Sequence, residues 1–212
     1  MLAKPTSHKR ALSQADVDAV LYRYSEAQSH DNLLFLSLFL TAFFALMQLG
    51  DLIFPDDYSI MDWRKVIRHS SVILHAGHYG FTLPAHKADH QFEGNRILVC
   101  GEQFSYAMLH HFTHYLQSRD KLFPLPSPLW LLFNGAMPTR SFFISRLNLM
   151  FGRDIAGQSM CAGSTTMLAK LGFPPHIIQA AGRWSSEAFR IYVWKSPFLL
   201  HGLLFASTYP QH

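Results

Sequence analysis

Charged residues and cysteine are what this chain has least of. Only 15% of its 212 residues are charged, against 49% hydrophobic. That balance excludes a disordered chain and leaves enough apolar material for a substantial core in one domain or two small ones. Cysteine occurs twice, at Cys100 and Cys161. The two lie far apart and in no metal-ligand spacing, so they read as buried or inert thiols and suit a reducing compartment. The opening Met1-Leu-Ala-Lys-Pro-Thr-Ser-His-Lys-Arg10 has no apolar core after its charges, and so does not read as a secretory leader. There is no internal repeat and no low-complexity tract. The net charge is +4, with 13 His that add positive charge below about pH 6.5. This suits a polyanionic partner without requiring one.

One uncharged stretch is long. Between Asp31 and Asp51, residues Asn32 to Gly50 carry no charge and are nearly all apolar from Leu33 to Met47. A membrane span needs about 20 such residues, so length alone would permit one. The flanks argue otherwise: both are acidic, and no Trp marks an interface. On a helix, Ser37, Thr41 and Gln48 fall within roughly 40° of one another, a narrow polar stripe. A buried central helix and no membrane partner is the better reading. A helical membrane or scaffold protein built on segment 32–50 is the alternative of another class.

The remaining pattern predicts a mainly α protein with a small three-stranded antiparallel β-insert. Residues 1–11 read as a flexible lead-in and 12–207 as one domain. Ser13 and Asp16 form a capping-box pattern for a helix reaching about Gln28. Strands are expected over Lys65–Leu74, Tyr79–Pro84 and Arg96–Cys100. Helices follow over Gln103–Arg119, from Thr139 or Ser141 to Phe151, over Gln158–Leu171, Pro174–Ala181 and Ser185–Trp194, and from Ser196 to about Ser207. A turn is marked at Asn134-Gly135.

The segment Ala180-Ala-Gly-Arg-Trp-Ser-Ser-Glu-Ala-Phe-Arg-Ile-Tyr192 is the most informative. It delivers a phenol on a helix about two and a half turns after a basic residue and a Trp. A tyrosine that attacks a phosphodiester needs a donor for a non-bridging oxygen in that relation. With Gly157-Gln-Ser-Met-Cys-Ala-Gly163 upstream, it resembles the C-terminal motifs of the tyrosine recombinase (phage-integrase-like) family, and most closely its fungal members of the Crypton and DIRS type. The resemblance runs from about Leu12 to Leu204. It implies duplex DNA as partner, DNA integration and site-specific recombination as function, no cofactor and no metal, and the nucleus as location. The family normally adds an N-terminal core-binding domain that completes a clamp around DNA, and the resemblance implies that this half is absent here.

By the same resemblance Tyr192 is the nucleophile. Arg183, nine residues before it at the family's His or Trp position, is a phosphate donor, with Trp184 able to take that role or to pack. Lys87, after the second strand, is the general acid for the leaving 5′-hydroxyl, and His86 beside it is a backbone contact. Lys87, Arg183, Trp184 and His86 form the expected DNA-binding set. Gln158 holds the family's His position. Two catalytic arginine positions are substituted: Gln48, with Asp51 three residues on, is the first, and Cys161 is the second. A neutral thiol is a weak donor and too short to reach a phosphate. Losing one positioned cationic donor costs about a hundred- to thousandfold in rate, so losing two independent donors costs roughly 10⁴ to 10⁶, or about 5–8 kcal/mol of barrier. Whether Arg140, Arg146 or Arg153 compensates is a question of position. The expectation is therefore an impaired copy, a pseudo-enzyme descended from a mobile element. A domesticated, non-catalytic DNA-binding or regulatory module is the alternative. The apolar tail 197–207 is expected to form a helix that docks on its own core or on a second copy on DNA.

Overall fold

A computed structural model describes residues 9–26, 29–84, 95–100, 106–125, 127–185, 189 and 200. Seven α-helices and three strands lie within them: α1 (Gln14–Tyr24), α2 (His30–Phe44), α3 (Leu49–Leu52), β1 (Ile73–Leu74), β2 (His78–Leu83), β3 (Asn95–Cys100), α4 (Tyr106–Leu122), α5 (Arg140–Phe151), α6 (Gly157–Lys170) and α7 (Pro175–Ala181). The architecture is mainly helical with one small antiparallel sheet, in the order β1-β2-β3.

The apolar stretch forms α2, and it is shorter than the sequence suggested. Ser29 caps it by accepting from the Asn32 amide, and it ends at Phe44, where Leu46 turns left-handed (φ 49°). Gln48 therefore leaves the expected polar stripe and becomes the N-cap of α3. Hydrophobic periodicity does not register such a turn, because Leu46 stays buried on either path. At 15 residues, α2 is roughly 22 Å long. Among the described residues no helix is long and apolar enough to cross a membrane. From Leu34 to Phe43 every residue of α2 is buried, walled in by α1, α4 and α6.

The polar groups of α2 are satisfied across these contacts. Ser37 donates to the His111 carbonyl of α4 (3.1 Å). Thr41 donates to the Ser37 carbonyl (2.6 Å) and lies 2.8 Å from the Tyr79 hydroxyl of β2. Burial pushes the Tyr79 phenol well above its ordinary value, so it is a neutral donor there. Tyr79 in turn stacks on Phe112 at 3.9 Å, which fastens the sheet to α4. The pairing Tyr79↔Val99 and Phe81↔Ile97 puts four buried side chains on one face, while Arg96, Leu98 and Cys100 face outward.

The first strand is a correction. Most of 65–74 is not paired as a strand: 3-10 turns occupy Trp63–Lys65 and His69–Ser71, and only Ile73–Leu74 pairs with β2. Local side-chain bonds compete for that backbone, with Asp62 accepting from the Arg64 amide and Ser71 donating to the Arg68 carbonyl. The capping box of α1 forms as expected, although α1 stops at Tyr24 rather than near Gln28. Thr139 caps α5, and Gly135 supplies the positive φ (81°) of the expected turn. Arg10 is held by a hydrogen bond from its backbone N–H to the Asp154 carbonyl (3.1 Å) and by a two-pronged ion pair with Asp16. The expected helices over 185–194 and 196–207 fall outside the described residues except at Ser185, Phe189 and Leu200.

Candidate functional site

Three of the sequence-predicted positions meet where α2 ends. Gly163 lets α6 press against that end: a Cβ there would stand 2.3 Å from the Leu12 carbonyl oxygen and 3.0 Å from the Phe43 ring. Ser164, one residue on, donates to the Phe43 carbonyl. At the start of α6, Gly157 approaches Leu49 of α3 so closely that a Cβ would come within 3.0 Å of its side chain. The segment from Ala45 to Leu49 is thus clamped between the end of α2 and the first turns of α6.

Cys161 lies on the buried side of α6, and its Sγ donates to the Met47 carbonyl at 3.2 Å. Gln48 follows directly and is exposed, with no side-chain bond to the helix it caps. Gln158, one turn before Cys161, is exposed. Arg183 arrives from the other side. It follows the C-cap of α7 at Gly182 and is left-handed (φ 54°), a conformation costing a non-glycine residue about 1–2 kcal/mol. Its guanidinium donates to the Ala181 carbonyl (3.1 Å) and to the Ala45 carbonyl (3.2 Å). Consecutive turns of backbone around Ala45 and Met47 therefore receive Arg183 and Cys161 together.

The electrostatics agree with this placement. Burial lowers the Arg183 pKa, and the negative charge of Asp51, with a smaller share from Cys161, raises it in opposition. The guanidinium remains a cation in a partly desolvated corner, facing the carboxylate three residues beyond Gln48. That pairing is invisible in sequence, since a separation of 138 residues joins Arg183 to Ala45.

Trp184 turns inward. It is 6% exposed and stacks on Phe189 with ring planes 18° apart, within a small second core that includes Leu46, Cys161, Leu168 and Ile178. Gly182 makes this possible, because a Cβ there would stand 2.6 Å from the indole. Of the two roles open to Trp184, packing describes its position. Tyr192, Lys87 and His86 lie outside the described residues.

Of the other arginines, Arg140 lies by Asp56, and Arg153 is exposed in the turn that follows α5. Arg146 covers the Phe142 ring at 3.9 Å and lines a cavity of about 590 Å³ with Ser29, His30, Lys121 and Phe133. That cavity, which sequence reasoning missed, sits at the N-terminal end of α2, roughly a helix length from Gln48. His30, which also lines it, has both ring nitrogens engaged: Nε2 donates to the Leu131 carbonyl and Nδ1 lies in hydrogen-bond range of the Ser118 hydroxyl, each at 2.9 Å.

No family model and no curated protein matches the sequence. Solved structures do match the fold. A XerH site-specific recombinase bound to a palindromic difH substrate is 13% identical, with a TM-score of 0.63 over 95% of this chain and 54% of that one. The XerA recombinase is 11% identical, with a TM-score of 0.66 over 96% of this chain and 66% of that one. The Tn1549 transposon integrase in complex with transposon right-end DNA is 15% identical, with a TM-score of 0.56 over 97% and 68%. The chain spans about half the length of the XerH protein and about two thirds of the others. Its fold is that of the tyrosine recombinase catalytic domain.

Proposed function

We propose that this chain is a recombinase-like domain that binds duplex DNA and derives from proteins of DNA integration and site-specific recombination, with strand cleavage impaired. The observation that carries the reading is the meeting of positions 48, 161 and 183 in one corner, within a fold shared with recombinases. In this reading the Tyr192 phenol gives up its proton to solvent and its oxygen attacks the phosphorus to form a 3′-phosphotyrosine. The P–O bond to the leaving 5′-hydroxyl breaks, and Lys87 protonates that oxygen. Arg183 and Gln158 donate to non-bridging oxygens, and His86 contacts the backbone. Trp184 supports the phosphate-facing turn from beneath.

The impairment follows from Gln48 and Cys161, which bring no charge to a transition state whose phosphate oxygens need it. The Gly-Arg-Trp-Ser-Ser context points to the fungal type of the family, hence to mobile-element ancestry and the nucleus. The tail 197–207 would join copies on DNA. The two missing arginines also favour a second reading, a domesticated module that binds DNA without cutting it.

Fluorescence anisotropy with a labelled duplex tests the binding half. The expected affinity at physiological salt is about 10⁻⁴ to 10⁻⁶ M, tolerant of sequence and falling steeply with salt. No binding even at low salt would overturn it. A nicked suicide substrate tests the chemistry. No Tyr192-dependent covalent band is expected on a denaturing gel, and a robust one would overturn the impairment.

A further inference from the structure

We infer that the guanidinium of Arg183 occupies the place that an arginine at position 161 would take, and serves as the cation of that place. The inference deepens the reading of positions 48, 161 and 183 given above and rests on it. It starts from a conformational outlier. Among the described residues, two that are not glycine have positive φ, Leu46 and Arg183. They face each other across one hydrogen bond, because the Ala45 carbonyl that receives Arg183 immediately precedes Leu46. Strain of this kind persists where surrounding contacts over-determine it, and it gathers at functional sites.

A glycine at position 183 would adopt the same turn without strain, as glycine does after many helices. An arginine there is a costlier choice, and what it adds is its fork of donors. That fork bonds to the same short segment as the Cys161 thiol, at Ala45 where the thiol takes Met47, and Cys161 is among the neighbours that act on its charge. Asp51, the acidic residue next to the first arginine position, lies close enough to feel its charge. An arginine growing from buried Cys161 would enter the same space and compete for the same carbonyls and the same carboxylate. Cysteine at 161 and arginine at 183 are therefore matched: the short side chain makes room for the long one. The corner then lacks one positive charge, at Gln48, rather than two.

A reciprocal exchange tests the match, using the whole chain and four variants: Cys161→Arg, Arg183→His, their combination, and Arg183→Ala. Cys161→Arg alone should lower Tm by about 5 °C or more, since a second guanidinium is forced into an occupied corner. Adding Arg183→His should recover most of that loss. Additive effects of the two substitutions would overturn the shared place. Salt titration against a labelled duplex reads the charge. Arg183→Ala should reduce the slope of log affinity against log salt by about 0.9, the signature of one lost phosphate contact, and Cys161→Arg/Arg183→His should restore it. A slope unchanged in Arg183→Ala would overturn the cationic role. A wild-type chain that binds no duplex would instead overturn the DNA-binding reading, and the melting cycle would still decide whether the two positions share one place.

Discussion

Around α2 the buried hydroxyls of Ser37, Thr41 and Tyr115 are tied to carbonyls, and the aromatic rings of Phe39 and Phe143 pack on that of Phe35. Around Trp184 the apolar cluster is small, and the chain enters it through the left-handed residues Leu46 and Arg183. The first region gains stability from burial in relaxed geometry. The second gives some of that up to hold a cation beside a backbone loop. The strained backbone therefore coincides with the candidate site, and the larger core supplies the stability that lets it be tolerated.

Substitutions can break this contrast, beginning with the largest effect. Phe35→Ala, which removes a fully buried ring packed on Tyr24, Phe39 and Phe143, should cost about 3–5 kcal/mol in urea unfolding. A loss under about 1 kcal/mol would mean that α2 is not the organising element. Gly182→Ala should cost about 1–3 kcal/mol by displacing the Trp184 indole. Its hydrogen-exchange signature should be confined to α7 and its surroundings, leaving α2 and α4 protected.

Acid should act on the larger core through His111. Burial, with the neighbouring charges of His110 and His114, holds its pKa down to about 4. Its folded value is below the unfolded one, so the neutral form is favoured by folding. The stability it contributes is complete above about pH 6.5 and is lost as pH falls toward about 4. Unfolding free energy should therefore drop by at least about 1 kcal/mol across that window, and His111→Gln should flatten the drop. A window unaltered in the variant would exclude His111 as its source. Smallest of all should be Arg183→Gly. Relief of left-handed strain offsets the two lost hydrogen bonds, so stability should move by less than about 1 kcal/mol while duplex affinity falls. A large loss of stability with unchanged affinity would make Arg183 a purely structural residue.

Much of the fold was legible because its signals are local. Ser13 with Asp16, Thr139 before α5 and Asn134-Gly135 each act within a few residues, and each element formed where they placed it. The alternation in Asn95–Cys100 likewise reported a half-buried strand. What failed depended on competition or distance. The 65–74 segment has strand-like composition but spends its backbone on turns around Asp62 and Ser71. The end of α2 was hidden because Leu46 is apolar whether the helix continues or turns. For the site, the positions of Gln48, Cys161 and Arg183 could be named from their motifs. Their physical relation could not, since it runs through the carbonyls of Ala45 and Met47, which any residue would supply.

The Arg183–Ala45 bond also has a meaning in time. It closes a loop of 138 residues, whereas α2 and α4 meet through contacts of shorter range such as Ser37 with His111, 74 apart. Loop-closure entropy grows only as the logarithm of length, but contacts of high sequence separation are rewarded late. Because Arg183 lies so late in the chain, the corner can close only once α7 has been made and has returned to the end of α2. A chain emerging from synthesis would hold a finished scaffold while its candidate site is still unmade, and only the return of the segment after α7 completes it.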